Sequence, residues 1–502
     1  MMNKLLAVNT SLPFNKTKYL PFKASILSCI NIYSAPILVS ATIYSLLLLA
    51  SNRQLNDGDT LWHIILGQEI ISSWHLPQQD EFSQFFYKQE YWTNSWLSDV
   101  ILAIAYNIGG FAAIVTVSTL SIAISFYLIQ KEYSLRNSDI AGLIVCIACF
   151  VLLAPHLLSR PHVLAFPLVV LWARELMRAE DAGSVPSFRV LPVLFFWSNM
   201  HGSFLLAYVI TAPICLMSIY RNGEIRSNKI ILWVYFLAGM ALSTMVGPYG
   251  IRPLTTAFSV ISLGELLNNI NEWQPQSFSS FSGFEAVILL WFGFMCLGQV
   301  KLNTSRILLI LGLIHMALLH VRNADYLALM GSILMCGPLC QKYAGNNLSI
   351  DMKPICRWIY AGALFVTCII YFPGAVHPTN QAYPYKAIEH MKSLDNLGNV
   401  FNDYTFSGAL IFNNKKVFID SRTEFYPKEY FREYIEITNG QDSDKLNEYL
   451  NRYDIGWAIL DSNLPMINGM NKLINWMKVY SDNVATVYVK NASNNAFTDL
   501  HR

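Results

Sequence analysis

Ten stretches of this sequence are apolar and close to twenty residues long, and that repetition limits the fold more than any other feature. They lie near 31–50, 111–131, 139–155, 161–178, 202–220, 229–246, 283–299, 304–320, 323–341 and 356–373. A helix needs roughly 20 apolar residues to cross a hydrocarbon core of about 30 Å. An eleventh, shorter candidate at 188–199 is needed for topology. Arg189 precedes it, and Arg221, Arg226 and Lys229 follow the next stretch, so two crossings must intervene to return the chain to its basic side. With 54% hydrophobic and 14% charged residues the chain lies outside the range of soluble domains. Its net charge of +2, without a Lys/Arg-rich block, gives no reason to expect a nucleic-acid partner.

The positive-inside rule sets the orientation. Lys4, Lys16, Lys18 and Lys23 precede the first apolar run, which lacks a short apolar core followed by a small-residue cleavage site and is read as a retained span. With the N-terminus cytoplasmic, the loops at 131–137, 174–189, 220–229, 299–306 and 341–346 are cytoplasmic, and each carries Lys or Arg. The loop 51–95, the segment 247–282 and everything after 374 are then exported. Residues 96–108 are too short to span before Gly109 and Gly110, and are expected to form a helix lying at the interface. The expected fold is a polytopic all-α membrane bundle of about eleven spans over residues 1–374, followed by an exported α/β domain at 375–502. In that tail, β-rich runs at 417–420, 456–460 and 485–490 alternate with helix-like stretches such as 442–453. The nine cysteines all fall in or beside apolar stretches, without zinc-site spacing. They read as small core side chains, and the exported parts fold without disulfides.

The unusual polar clusters all fall on the exported side. Asp57, Asp59 and His63 follow the first span. Arg160 and His162 join spans 3 and 4, and His201 joins spans 5 and 6. Tyr249 and Arg252 follow span 7, with Asn269, Glu272 and Trp273 in the same loop, and Arg322 with Asn323 joins spans 9 and 10. Singly, each has an ordinary reading: Arg160 and Arg322 as anchors reaching headgroups, His201 as a satisfied hairpin histidine, Pro248–Gly250 as a turn, and Trp62, Trp92, Trp96 and Trp273 as an aromatic belt. Five clusters on one side and none on the other favour one shared site, because charges near helix ends face water or one another rather than lipid. Two carboxylates at i and i+2 can act as a base or hold a divalent cation, magnesium or manganese. Arginines from other loops can grip phosphate or diphosphate. No other cofactor is indicated.

Asp57-Gly58-Asp59-Thr60-Leu61-Trp62-His63 with Gly67, then Pro77, Asp80, Phe82, Ser83, Trp92 and Trp96–Ser98, resembles the first exported loop of bacterial polytopic proteins of the GT-C glycosyltransferase superfamily. Arg160–His162, Trp197–Gly202, Pro248–Gly250, Glu272–Trp273, Arg322–Asn323 and Phe418–Arg422 resemble that group's further blocks, in its order. The group shares its plan with protein O-mannosyltransferases and oligosaccharyltransferases. The resemblance implies a bacterial inner-membrane enzyme that moves a sugar from a polyprenyl-phosphate donor to a glycan, lipid or protein acceptor of the envelope, on the exported face. It implies Asp57 as base or metal ligand, with Asp59 as second candidate. His63, Arg160, His162, His201, Tyr249, Arg252, Glu272 and Arg322 are expected as donor-phosphate or substrate contacts. Leu61 departs from a pattern that has a second Trp before Trp62, so a smaller stacking surface for sugar is expected. The alternative is a non-catalytic membrane component that binds lipid-linked glycan in polysaccharide assembly. A transporter fits less well, since few ionisable residues fall at mid-span.

Overall fold

A computed structural model describes residues 35–221, 224–225, 227–256, 263–297, 300–343, 345, 376–392 and 397–491. The expected span at 356–373 and the four N-terminal lysines lie outside the described residues. The membrane part is helical: α1 (Ala35–Leu49), α2 (Asp59–Ser73), α3 (Trp96–Ser134), α4 (Asp139–Leu153), α5 (Pro161–Asp181), α6 (Leu191–Met200), α7 (Leu205–Ile219), α8 (Ser227–Met245), α9 (Gly283–Cys296), α10 (Thr304–Leu319), α11 (Ala324–Leu334) and α12 (Cys336–Tyr343).

Of the eleven expected spans, three segments among the described residues are long and apolar enough to cross a membrane: Trp96–Ser134, Asp139–His156 and Gly202–Ile219. Ala35–Leu49, Lys229–Met245, Gly283–Cys296 and Thr304–Leu319 are apolar but shorter. At 1.5 Å per residue such helices reach about 21–26 Å. Helix α5 is 21 residues long, and Arg174, Glu175, Arg178, Glu180 and Asp181 occupy its last two turns. The expected span at 323–341 is two helices parted at Met335, and every residue of α11 is buried against protein. Elsewhere apolar faces stay open. Ile140, Ile144, Ile147 and Val151 line one side of α4, and Ile307, Leu308, Leu311 and Leu318 lie exposed on α10. Surfaces of this kind belong in lipid.

Helix α3 breaks where the sequence places a boundary. Gly109 (φ −153°, ψ 26°) and Gly110 (φ 60°, ψ −148°) leave the helical region between its two arms, and the Gly110 conformation is open only to a residue without Cβ.

Residues 397–491 carry a four-stranded sheet of β1 (Asn399–Asn402), β2 (Ile455–Asp461), β3 (Trp476–Ser481) and β4 (Ala485–Lys490) in the order β1-β2-β4-β3. Strands β1 and β2 run parallel, with Phe401 opposite Ala458; the other pairs are antiparallel. The two faces follow the two-residue period of a strand. Phe401, Ala458, Leu460 and Tyr488 pack under the helices Lys428–Asn439 and Ser443–Arg452. Val400, Trp457, Ile459, Val487 and Val489 turn the other way, toward the loop 51–95.

That loop, read from the sequence as the connection over 51–95, contains α2. Leu61, Trp62, Leu66 and Ile70 of α2, with Phe82 and Tyr91, share a core with Leu410, Ile459 and Val487, and each large side chain buried there contributes about 1.5–3 kcal/mol. The union continues through backbone. Gln84 N–H donates to the Val417 carbonyl and Val417 N–H to the Phe82 carbonyl, both at 2.9 Å. The Gln84 amide accepts from Val400 N–H (2.9 Å) and donates to the Val400 carbonyl (2.8 Å), covering the open edge of β1.

Candidate functional site

The Asp57–Asp59 segment is shaped by its own side chains and by a close approach. Asp57 Oδ1 accepts the Asp59 N–H at 3.2 Å, turning the chain into α2. Asp59 is the first residue of that helix, where the unpaired N–H groups favour negative charge. Gly58 sits against the 405–408 backbone, so a Cβ there would meet the Thr405 carbonyl oxygen at 2.6 Å. Across from this turn, Arg160 is the N-cap of α5, in extended conformation with Pro161 at the first helical position. Its base is tied to the same segment: Ser159 N–H donates to the Gln54 carbonyl (2.8 Å) and Thr60 Oγ1 donates to the Ser159 carbonyl (3.0 Å).

From this position the Arg160 guanidinium reaches three carboxylates. Nε pairs with Asp57, and Nη2 donates to Asp57 Oδ1 at 2.6 Å and lies 3.0 Å from Asp59 Oδ2. Nη1 pairs with Glu272. The second Glu272 oxygen lies 3.7 Å from Arg322 Nη1, and the Arg322 guanidinium stands 4.9 Å over the Trp273 ring. His320 Nδ1, 2.6 Å from the Trp273 carbonyl, fixes that indole's backbone. Asp57, Asp59, Arg160, Glu272 and Arg322 therefore form one cluster drawn from four chain segments. Asp57 is the most covered, with 9% of its side chain exposed, against 22% for Asp59 and 28% for Glu272 and Arg322. The cluster is thus largely enclosed, with Asp59, Glu272 and Arg322 keeping its open surface.

Electrostatics separates the carboxylates. Burial pushes the Asp59 carboxyl up to about 6, against the Ser421 hydrogen bond, while the Glu272 charge adds to the rise. Burial would raise Glu272 as well, but Arg160 and Arg322 outweigh it and hold that carboxyl at about 2. At neutral pH Glu272 is a fixed anion, and Asp59 is the group poised to exchange a proton.

The remaining expected contacts make their bonds elsewhere. His63 is buried under Trp62, ring centroids 3.6 Å apart, with Nδ1 2.6 Å from Asp99 Oδ1. His162 and His201 are neighbours, centroids 6.1 Å apart; His162 Nε2 lies 3.9 Å from Asp325, and His201 Nδ1 accepts the Ser203 N–H at 3.1 Å. Tyr249 donates to the Pro77 carbonyl (2.9 Å), and Arg252 pairs with Glu90 (2.5 Å) over the Trp92 ring. Those two line a cavity of about 920 Å³ with Trp74, Gln78, Lys88 and Glu90.

Several partners carried no expected role. Asp99 holds His63, and its signal in sequence is a carboxylate in the first turn of an apolar helix. Ser421 accepts from Trp62 Nε1 at 2.9 Å, bringing the C-terminal region to the rim of the cluster. Arg422 is 3% exposed and pairs with Asp80 (2.7 Å) and Asp420 (2.5 Å), stacked 4.6 Å over Tyr91. These last residues belong to blocks that the resemblance marks, yet their pairing spans more than three hundred positions.

The residues do not fit the divalent cation expected of Asp57 and Asp59. Both Asp57 oxygens, both Glu272 oxygens and one from Asp59 face a guanidinium, that of Arg160 or Arg322. Among the described residues no three His, Cys, Asp or Glu side chains converge as a ligand set.

No protein-family model matches the chain, and no curated protein sequence does. Solved structures do. The archaeal oligosaccharyltransferase AglB from Archaeoglobus fulgidus, in complex with an inhibitory peptide and a dolichol-phosphate, matches with a TM-score of 0.58 at 11% identity, over 85% of this chain and 69% of that one. The oligosaccharyltransferase of the same organism tethered to an acceptor peptide gives 0.54 at 10% identity, over 85% and 68%. The chain has the GT-C fold. A third match, the mycobacterial arabinofuranosyltransferase AftD, extends that fold over 90% of this chain but 41% of its own, with a TM-score of 0.50 at 12% identity. In the GT-C fold of this chain, the Arg160 cluster is bounded by the loop 51–95, the start of α5 and the loops before α9 and α11.

Proposed function

We propose that the protein is an integral membrane glycosyltransferase of the bacterial inner membrane, with its N-terminus cytoplasmic, about eleven spans and its C-terminal domain exported. It transfers a sugar from a polyprenyl-phosphate donor to an envelope acceptor on the exported face. The observation that carries this reading is the open cluster of Asp59, Glu272 and Arg322, which joins a proton acceptor to an accessible cation within a GT-C fold. Its fold neighbour AglB was solved with a dolichol-phosphate.

The geometry divides the work. Asp59, the carboxylate with the raised pKa, takes the proton from the acceptor nucleophile, which attacks the anomeric carbon as the bond from that carbon to the phosphate oxygen breaks. The electrons of that bond leave with the polyprenyl phosphate. Arg322, cationic at any working pH and held over Trp273, faces the growing charge on the phosphate. Asp57 has both oxygens engaged by Arg160, so it orients the turn rather than exchanging protons.

The test is transfer of labelled sugar from a polyprenyl-phosphate donor in membranes carrying each variant. Asp59→Asn and Arg322→Ala should each lose about 100-fold or more while still inserting and folding. Full transfer by an Asp57→Asn, Asp59→Asn double variant would sink the enzymatic reading and favour a component that binds lipid-linked glycan.

A further inference from the structure

Three carboxylates from two separate segments, Asp57 and Asp59 from one and Glu272 from the other, are drawn together around one positive centre, as a hard divalent cation would tie loops into a site. Here the centre is a side chain. Each nitrogen of the Arg160 guanidinium has a carboxylate partner: Nε on Asp57, Nη2 on Asp57 and Asp59, Nη1 on Glu272. The arm that carries it is not free to wander. Pro161 fixes the backbone beyond it, the Ser159 bonds to Gln54 and Thr60 fix the backbone before it, and 17% of the side chain is exposed. A guanidinium has five N–H donors in one plane, is charged at every accessible pH, and suits several carboxylates at once.

We infer that Arg160 takes the place of a divalent cation among Asp57, Asp59 and Glu272, so that the site works as an arginine-centred carboxylate cluster that needs no metal. The inference rests on the reading of the site given above and concerns what supplies its central charge. A cation entering the cluster would have to displace a guanidinium that holds both oxygens of Asp57, and would then sit beside it against charge repulsion. Arg160 supplies charge neutralisation and orientation. Because its own nitrogens are occupied, Arg322 is left as the cation that meets the donor phosphate.

The test uses the purified full-length protein in lipid nanodiscs, with Mn²⁺ alone as probe, followed by paramagnetic resonance of free Mn²⁺ and by thermal unfolding. Wild type should show no saturable site tighter than ~1 mM and no change in Tm between Mn²⁺ and EDTA. Arg160→Gln uncovers the three carboxylates, and should gain a site at least about tenfold tighter than any in wild type, lost again when Glu272→Gln is added. Saturable Mn²⁺ binding by wild type that Asp57→Asn or Glu272→Gln abolishes would overturn the inference, as would a folded Arg160→Gln protein that gains no site. If Arg160→Gln does not fold, the comparison of wild type with Glu272→Gln decides alone. The transfer assay separates this inference from the function on which it rests. Transfer that persists in EDTA supports both. Transfer lost in EDTA and restored by Mn²⁺ refutes the metal-free cluster and leaves the glycosyltransferase standing. Absence of transfer under every condition, with no Mn²⁺ bound by wild type and a site gained by Arg160→Gln, refutes the glycosyltransferase and leaves the cluster standing.

Discussion

Gly58 and Gly408 meet backbone to backbone: a Cβ on Gly408 would come within 1.9 Å of the Gly58 carbonyl oxygen. The residue between the two carboxylates is therefore a docking point for the C-terminal region, and its lack of a side chain sets where Asp57 and Asp59 stand. Gly58→Ala is expected to cost about 1–3 kcal/mol, read as a lowered Tm, and to reduce transfer with it. Gly202→Ala is the control, since a Cβ there would find its nearest neighbour, the Asn94 amide, at 3.9 Å. Equal Tm values for the two variants would show that the contact does not constrain the turn.

Asp57 and Asp59, two residues apart, are expected to fail differently. Asp57→Asn removes the partner that meets two nitrogens of a largely covered guanidinium, so it should lower stability by about 3–5 kcal/mol, together with activity. Asp59→Asn should leave the unfolding free energy within about 0.5 kcal/mol of wild type and remove transfer. Thermal unfolding and sugar transfer measured on the same preparations check this, and a reversed pattern would make Asp57 the proton acceptor.

The raised pKa of Asp59 sets a pH profile. A base must be ionised to accept a proton, so transfer should be low below pH 6, rise through about 6 and level off above it. For stability the signs of the two shifted acids are opposite. Asp59, raised in the folded state, contributes stability that is full below its unfolded value of 3.8 and is lost as pH rises through about 6. Glu272, lowered to about 2, contributes stability present above 4.5 and lost as pH falls from there toward 2. Glu272→Gln should therefore flatten the acid side of a Tm-against-pH curve and, by removing a charge that adds to the Asp59 rise, move the onset of transfer to lower pH.

Local composition made some of this legible and could not make the rest so. The apolar runs announce a membrane bundle because lipid leaves the backbone few alternatives. Gly109 and Gly110 mark the break in α3 because glycine alone tolerates the geometry at Gly110. That Asp57, Arg160, Glu272 and Arg322 sit in the connections between apolar runs could be read from the sequence, and the structure gathers those connections at one cluster. What the side chains touch is another matter. Arg160 meets carboxylates, and Arg252 meets Glu90 rather than the cluster, because loop paths over 51–95 and 247–282 depend on tertiary packing that no periodicity records. Helix α2 was hidden for a related reason: Leu61, Trp62, Leu66 and Ile70 pack against the C-terminal region, which begins more than 300 residues away in sequence. That face has no partner until the chain has folded.

Arg422 tests that union. Its removal would leave Asp80 and Asp420, both fully buried, as uncompensated carboxylates. Arg422→Met is expected to destabilise by about 3–5 kcal/mol and to open the contact between the first loop and the sheet, seen as faster proteolysis within 74–90. Restoring wild-type protease resistance by combining Arg422→Met with Asp80→Asn and Asp420→Asn would show that unpaired charge, rather than lost packing, causes the effect.

The final prediction concerns sidedness. Residues 51–95 and the sheet must lie on the same side of the membrane, because Ser83 pairs with Val417 in backbone register and Asp80 binds Arg422. Helix α5 runs from Arg160 in the cluster to Asp181 in the basic loop, and 21 residues extend about 31 Å, the thickness of a bilayer core. The two ends of α5 should therefore face opposite compartments, with the sheet on the side of Arg160. In a background without the nine native cysteines, Ile474→Cys, at a position 91% exposed on the sheet's turn, should react with an impermeant maleimide in cells whose inner membrane is intact. Ala182→Cys, exposed just beyond α5, should react only after that membrane is breached. Labelling of both from the same side would mean that α5 does not cross. The Arg160 cluster would then lose the exported face on which transfer from a lipid-linked donor is proposed.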